Sequence, residues 1–197
     1  MVYDQATQEL KDIIDRFFSE EKKEFDQVVE LIIQAFQSGQ KLLIFGNGGS
    51  AAQAQHLTAE LVGRFQKERA AFPAVALTAE TSTITAVAND YSFKNIFKRQ
   101  IEALGRPGDM ALGLTTSGKS PNVIEAFKQA RAMQLKSIAL TGLGGQTLAP
   151  LVDVLLAVPS DNTPRIQEAH LFILHFLAQE IEKQKIEDRR QKTEVRR

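Results

Sequence analysis

The sequence predicts an α/β three-layer sandwich on a five-stranded parallel sheet of order 2-1-3-4-5, preceded by two helices. Three observations carry this. Five short apolar runs end in turn residues: LLIFGN, PAVALT, MALGLTT, SIALTG and VDVLLAVP. Their continuous hydrophobicity suits strands buried on both faces. Amphipathic segments alternate with them, a pattern that calls for right-handed crossovers. A length of 197 residues with 43% hydrophobic content supports one core.

The elements follow in order. Leu10, Ile13, Ile14, Phe17 and Phe18 recur at helical spacing, and Phe25, Val28, Val29, Ile32, Ile33 and Phe36 repeat the pattern. Residues 1–38 are therefore two amphipathic helices, and 39–186 hold the sheet. Helical segments are expected over about Ser50 to Phe65, Thr81 to Ala88, Phe93 to Leu104, Pro121 to Met133 and Pro164 to Lys185. The tail 187–197 is charged and poor in apolar residues, as a fraying, solvated helix end would be.

Composition excludes several classes. The formal net charge is zero, which leaves no chain-wide attraction for nucleic acid or anionic membrane. There is no cysteine, hence no disulfide framework and no thiolate nucleophile or metal ligand. The N-terminus shows neither a signal peptide nor a membrane span, so a cytoplasmic location is expected.

In the 2-1-3-4-5 order ligands bind where strands 1 and 3 diverge. Strand 1 ends in Phe45-Gly46-Asn47-Gly48-Gly49-Ser50 and strand 3 in Gly113 to Ser120, GLTTSGKS. Two loops of glycine and hydroxyl residues, distant in sequence, should thus face one crevice. GLTTSGKS fits a phosphate site in two ways. As G-x-x-x-x-G-K-[ST] it is a nucleotide P-loop, with Lys119 on the outer phosphate and Ser120 on Mg²⁺. As a hydroxyl-rich turn it is a sugar-phosphate cradle, in which Thr115, Thr116, Ser117 and Ser120 stand beside the free N–H groups of the next helix. The P-loop reading lacks a strand-end Asp for Mg²⁺, because Asp153 opens its strand and Asp90 follows the mixed run ITAVAN. Gly46-x-Gly48-x-x-Ala51 also fits a dinucleotide fingerprint, but no second mononucleotide half follows.

Only His56, His170 and His175 are present. His56 and Glu60, four apart on one helix, share a face; such a pair can place two metal ligands, orient an acid and a base, or be an ordinary exposed pair. His175 follows Gln167 by eight positions, about 80° around a helix, so only long side chains let both reach one cavity. His170 lies about 140° from His175 and is read as a packing or subunit-contact residue.

FGNGGSAAQAQHLTAELVGRF, TAVANDYSF, LGLTTSGKSPNVIEAF, LTGLGG and TPRIQEAHLFILHF together resemble the sugar isomerase (SIS) domain, and more closely the D-sedoheptulose 7-phosphate isomerases, or phosphoheptose isomerases. The resemblance spans nearly the whole chain, motifs in order. It implies Glu60 as base and His175 as acid in an aldose–ketose isomerisation through an enediol, one zinc ion per subunit on His56, Glu60, Gln167 and His175, and a homotetramer. It also implies phosphate contacts from Ser50, Thr115, Thr116, Ser117 and Ser120, and sugar contacts from Asn47, Gly48, Arg64, Asn89, Asp90 and Gln167. The product would supply heptose for lipopolysaccharide. The family commonly has S-T-S-G-N-S where this chain has Thr115 to Ser120; the threonine keeps the hydroxyl and Lys119 adds a cation. A non-catalytic SIS relative that binds the replication initiator DnaA has serine at the helix carboxylate, whereas this chain has Glu60. Isomerase, nucleotide hydrolase and non-catalytic adaptor all stay open, with Glu60 and His175 favouring the first over the last.

Overall fold

A computed structural model describes the backbone of residues 1–194 and the side chains of residues 1–183. Helices α1 (Val2–Glu20) and α2 (Lys22–Gln37) lead into β1 (Leu42–Gly46), α3 (Gly49–Val62), β2 (Ala74–Ala76), α4 (Thr81–Asp90), α5 (Ile96–Leu104) and β3 (Met110–Thr115). Then come α6 (Pro121–Ala132), β4 (Lys136–Gly142), β5 (Val154–Val158) and α7 (Thr163–Glu194). The strands form one parallel sheet of order β2-β1-β3-β4-β5, as the sequence predicts.

Alternation along the strands builds the two cores. Leu42, Ile44, Leu112, Leu114, Ile138, Leu140, Leu156 and Val158 point to one face and pack against α1, α2, α3 and α7. Leu43, Phe45, Ala111 and Ala139 point to the other, where α5 and α6 supply Phe97, Ile101, Val123 and Phe127. The N-terminal helices belong to the first core. Ile13 and Phe17 of α1 are buried there, with Phe25, Val28, Val29, Ile32, Ile33 and Phe36 of α2.

Some boundaries differ from the sequence reading. PAVALT yields only three strand residues, because β2 is an edge strand that opens after Pro73 and pairs on one side. The segment predicted from Phe93 begins as a 3-10 turn, Phe93–Asn95, before α5. A 3-10 stretch, Leu143–Leu151, follows β4 in a segment for which no helix was predicted. The last helix runs on to Glu194, past the expected Lys185; of the predicted tail, residues 195–197 and the side chains from 184 onward lie outside the described residues.

Candidate active site

The C-terminal ends of β1 and β3 are neighbours, with Gly46 opposite Leu114 in register, so the two glycine- and hydroxyl-rich loops flank one switch point. A reciprocal amide pair ties them. Asn47 donates to Oδ1 of Asn122 at 2.8 Å, and Asn122 donates back at 2.8 Å. Asn122 is buried in the first turn of α6, and its Oδ1 also accepts from the Val123 N–H. Its place just after S-P was the sequence signal for a residue the sequence reading missed.

Neither helix entering the crevice spends a side chain on its own cap. Gly48, in a left-handed conformation with φ 56°, precedes α3, and Ser120 precedes α6, with Pro121 in its first turn; neither makes a side-chain cap hydrogen bond. Two helix N-termini, with their partial positive charge, therefore flank the crevice. The loop between β3 and α6 holds its own shape. Thr115 is buried and its hydroxyl accepts from the Gly118 N–H, Ser117 Oγ accepts from the Lys119 N–H, and the Thr116 carbonyl accepts from Gly142. Gly118 has φ 67° and lies tight against Gly145, which seats the loop on the turn after β4. Ser117 and Lys119 are exposed, Thr116 and Ser120 half-buried, and Ser50 is buried in the first turn of α3.

A second group of residues forms where α3 and α7 run side by side in the same direction. Gln167 lies against Gly49: a Cβ there would come within 2.6 Å of its side-chain nitrogen. Gln53 donates to the Gln167 carbonyl at 2.6 Å, and its own Oε1 is buried without a partner among the described residues. One turn further, His56 Nε2 and His175 Nε2 are 2.7 Å apart, and the Glu60 carboxylate is 3.6 Å from His56. The Phe65 ring packs beside His175. The i, i+4 pair His56 and Glu60 on α3 thus meets His175 on α7, 119 positions away in sequence from His56.

Two imidazole nitrogens and a carboxylate are donors of the type zinc prefers. Nitrogens on one tetrahedral zinc stand about 3.3 Å apart, so the 2.7 Å contact is a hydrogen bond between rings that would part slightly to share an ion. Among the described residues, no three His, Asp or Glu side chains stand in a coordinating arrangement.

Other expected residues sit apart from these groups. Arg64 is two-thirds exposed and pairs with Glu68 at 3.6 Å. Asn89 donates to Asp90 at the exposed end of α4. Asp153, the carboxylate a P-loop would need, lies at the N-terminal edge of the sheet, where it accepts from Lys136 and the Ser137 N–H. Burial alone would raise its pKa, but these donors hold it below the usual carboxylate range. It is at the wrong end of the sheet to hold Mg²⁺ beside Ser120. His170 is a packing residue, fully buried, its pKa pushed down to about 4 by desolvation.

Residues 6–142 match the SIS domain family. The chain is 55% identical over 163 residues to a phosphoheptose isomerase of Geotalea daltonii, covering 83% of this chain and 85% of that one. It is 51% identical over 177 residues to that of Syntrophotalea carbinolica, covering 90% of each. The structure of phosphoheptose isomerase GmhA from Neisseria gonorrhoeae superposes with a TM-score of 0.85 at 39% identity, covering 93% of this chain and all of that one.

Proposed function

This chain belongs to the phosphoheptose isomerases of the SIS domain family, and on that premise we propose that it interconverts D-sedoheptulose 7-phosphate and D-glycero-D-manno-heptose 7-phosphate. The observation that carries the reading is the meeting of Glu60, His56 and His175 between α3 and α7, on the helix that opens from the switch-point crevice. An aldose–ketose isomerisation needs one group to carry a proton from C1 to C2 and another to move a proton between the two oxygens. Glu60 takes the C1 proton of the ketose to give an enediol and returns a proton to C2. His175 serves the oxygens, and its contact with His56 orients its ring.

The 7-phosphate binds at the α6 N-terminus with the hydroxyls of Thr116, Ser117 and Ser120, while the buried Thr115 hydroxyl shapes the loop between β3 and α6 and Ser50 faces it from the first turn of α3. Lys119 adds charge from the exposed rim. Asn47, held by Asn122, faces the sugar together with Gly48 and Gln167. This remote binding energy positions the reacting carbons. Zinc on His56, Glu60 and His175, with Gln167 as the fourth donor, would polarise the carbonyl when bound.

Four subunits are proposed, with α1, α2 and α7 at their contacts. Phe18, Phe25, Phe172 and Phe176 form an aromatic cluster, of which Phe172 is 49% exposed and Phe176 36%. Arg64, Asn89 and Asp90, exposed in the single chain, reach substrate in such an assembly. A cytoplasmic enzyme supplying heptose for lipopolysaccharide fits this activity, and no described helix is long and apolar enough to cross a membrane. Incubation with sedoheptulose 7-phosphate tests the reading: NMR should show the aldose 7-phosphate accumulate to a fixed ratio. An unchanged ketose spectrum would refute it.

A further inference from the structure

Beyond the residues that would touch substrate, the α3–α7 pair carries a buried ionic knot. Glu182 is 2% exposed and follows His175 by seven positions, two turns along the same face of α7. Its carboxylate accepts from three successive backbone N–H groups just past α3: Phe65 at 3.3 Å, Gln66 at 3.0 Å and Lys67 at 3.0 Å. Arg69 Nε lies 3.2 Å from the same carboxylate, both side chains almost wholly buried. The guanidinium then turns to the end of α3, donating to the carbonyls of Glu60 at 2.7 Å, Leu61 at 2.8 Å and Gly63 at 3.2 Å. These include carbonyls a helix end leaves without intrahelical partners. Its plane also covers the Phe72 ring, which stacks on Phe36 in the core.

The backbone of Glu60 is thus held by Arg69, Arg69 by Glu182, and Glu182 rides on the helix that carries His175. We propose that Arg69 and Glu182 are positioning residues: they fix the C-terminal half of α3 against α7, and so set the His56–His175 contact and the reach of Glu60. The proposal rests on the isomerase reading for its kinetic consequence, but not for its structural one. A clamp that served folding alone would pack as well with its charges removed; one that sets geometry must keep this fork of bonds, which a lysine cannot reproduce.

The test uses two variants of the whole chain. Arg69→Lys keeps the charge and volume but loses the fork. Glu182→Gln keeps one acceptor oxygen and loses the charge. In each, kcat on the heptose phosphate should fall about tenfold or more, since small displacements of reacting groups are costly. KM should stay within about twofold, because the phosphate cradle between β3 and α6 makes no contact with the clamp. The ring ¹⁵N resonances of His56 and His175, in protein as purified, should shift in both variants while those of His170 do not. If either variant fails to fold, the other carries the same readouts. Folded variants with wild-type kcat and unmoved His56 and His175 resonances would overturn the proposal. A wild-type protein without isomerase activity would refute the functional reading alone, and the ring resonances would still decide the clamp.

Discussion

His170 offers the sharpest physical test of the core. It is fully buried on α7, and neither ring nitrogen has a well-formed hydrogen bond among the described residues. Desolvation lowers its pKa from 6.5 to about 4, opposed in part by the nearby Thr141 carbonyl. The folded state therefore holds this histidine neutral, while the unfolded chain binds a proton near pH 6.5. Stability from this group is complete above pH 6.5 and is lost as pH falls through the interval down to about 4. At about 1.4 kcal/mol per unit, moving from pH 7 to pH 5 removes on the order of 2 kcal/mol through this one residue. His170→Leu abolishes that titration and removes the two buried, unpartnered ring nitrogens. Urea unfolding of both proteins at pH 7 and pH 5, at one protein concentration, isolates the difference from the carboxylates common to both. Wild type should lose about 2 kcal/mol more than the variant. Equal losses would refute the buried, neutral histidine.

Other consequences follow for the site. Glu60→Gln and His175→Asn should each lower kcat by about 10²- to 10⁴-fold with the fold intact, and wild-type turnover in Glu60→Gln would remove the carboxylate from the mechanism. Ser120→Ala, which deletes a hydroxyl free of any capping duty, should weaken phosphate binding by about 1.5 to 3 kcal/mol, whereas Lys119→Ala should raise KM only modestly. Strong Mg²⁺-dependent thermal stabilisation by ATP, lost in Lys119→Ala, would instead favour the P-loop. Asn47→Ala and Asn122→Ala should each raise KM for the heptose phosphate, and their effects should not add, because either change breaks the same amide pair. Phe176→Glu should reduce the mass seen by light scattering; an unchanged tetramer would place the subunit contacts elsewhere.

The parts of the fold that show in the sequence are those with local causes. Buried parallel strands read as unbroken apolar runs, and α6 announces itself through Ser120 and Pro121. His56 and Glu60 are legible because helical spacing fixes their shared face. What the sequence hides depends on tertiary contact. Nothing local to Arg69 shows that it will fold back on α3, and Glu182 looks like any solvent-facing acid near a helix end until α3 is laid beside it. Gln53 is likewise an ordinary helix residue until the Gln167 carbonyl arrives from 114 positions away. The short β2 reflects its edge position, which topology and not composition decides.

If Glu60 carries the proton through an enediol, the isotope content of the product records it. Sedoheptulose 7-phosphate is converted in D₂O and the aldose phosphate is examined by NMR and mass spectrometry. Glu60 keeps about a quarter of its side chain exposed, so the proton it removes can exchange with solvent before it is returned. Deuterium at C2 of the aldose is the expected result, formed by wild type and suppressed in Glu60→Gln. Product that keeps its full complement of carbon-bound hydrogen would point to hydride transfer, and deuterated product formed at the wild-type rate by Glu60→Gln would take the base away from Glu60.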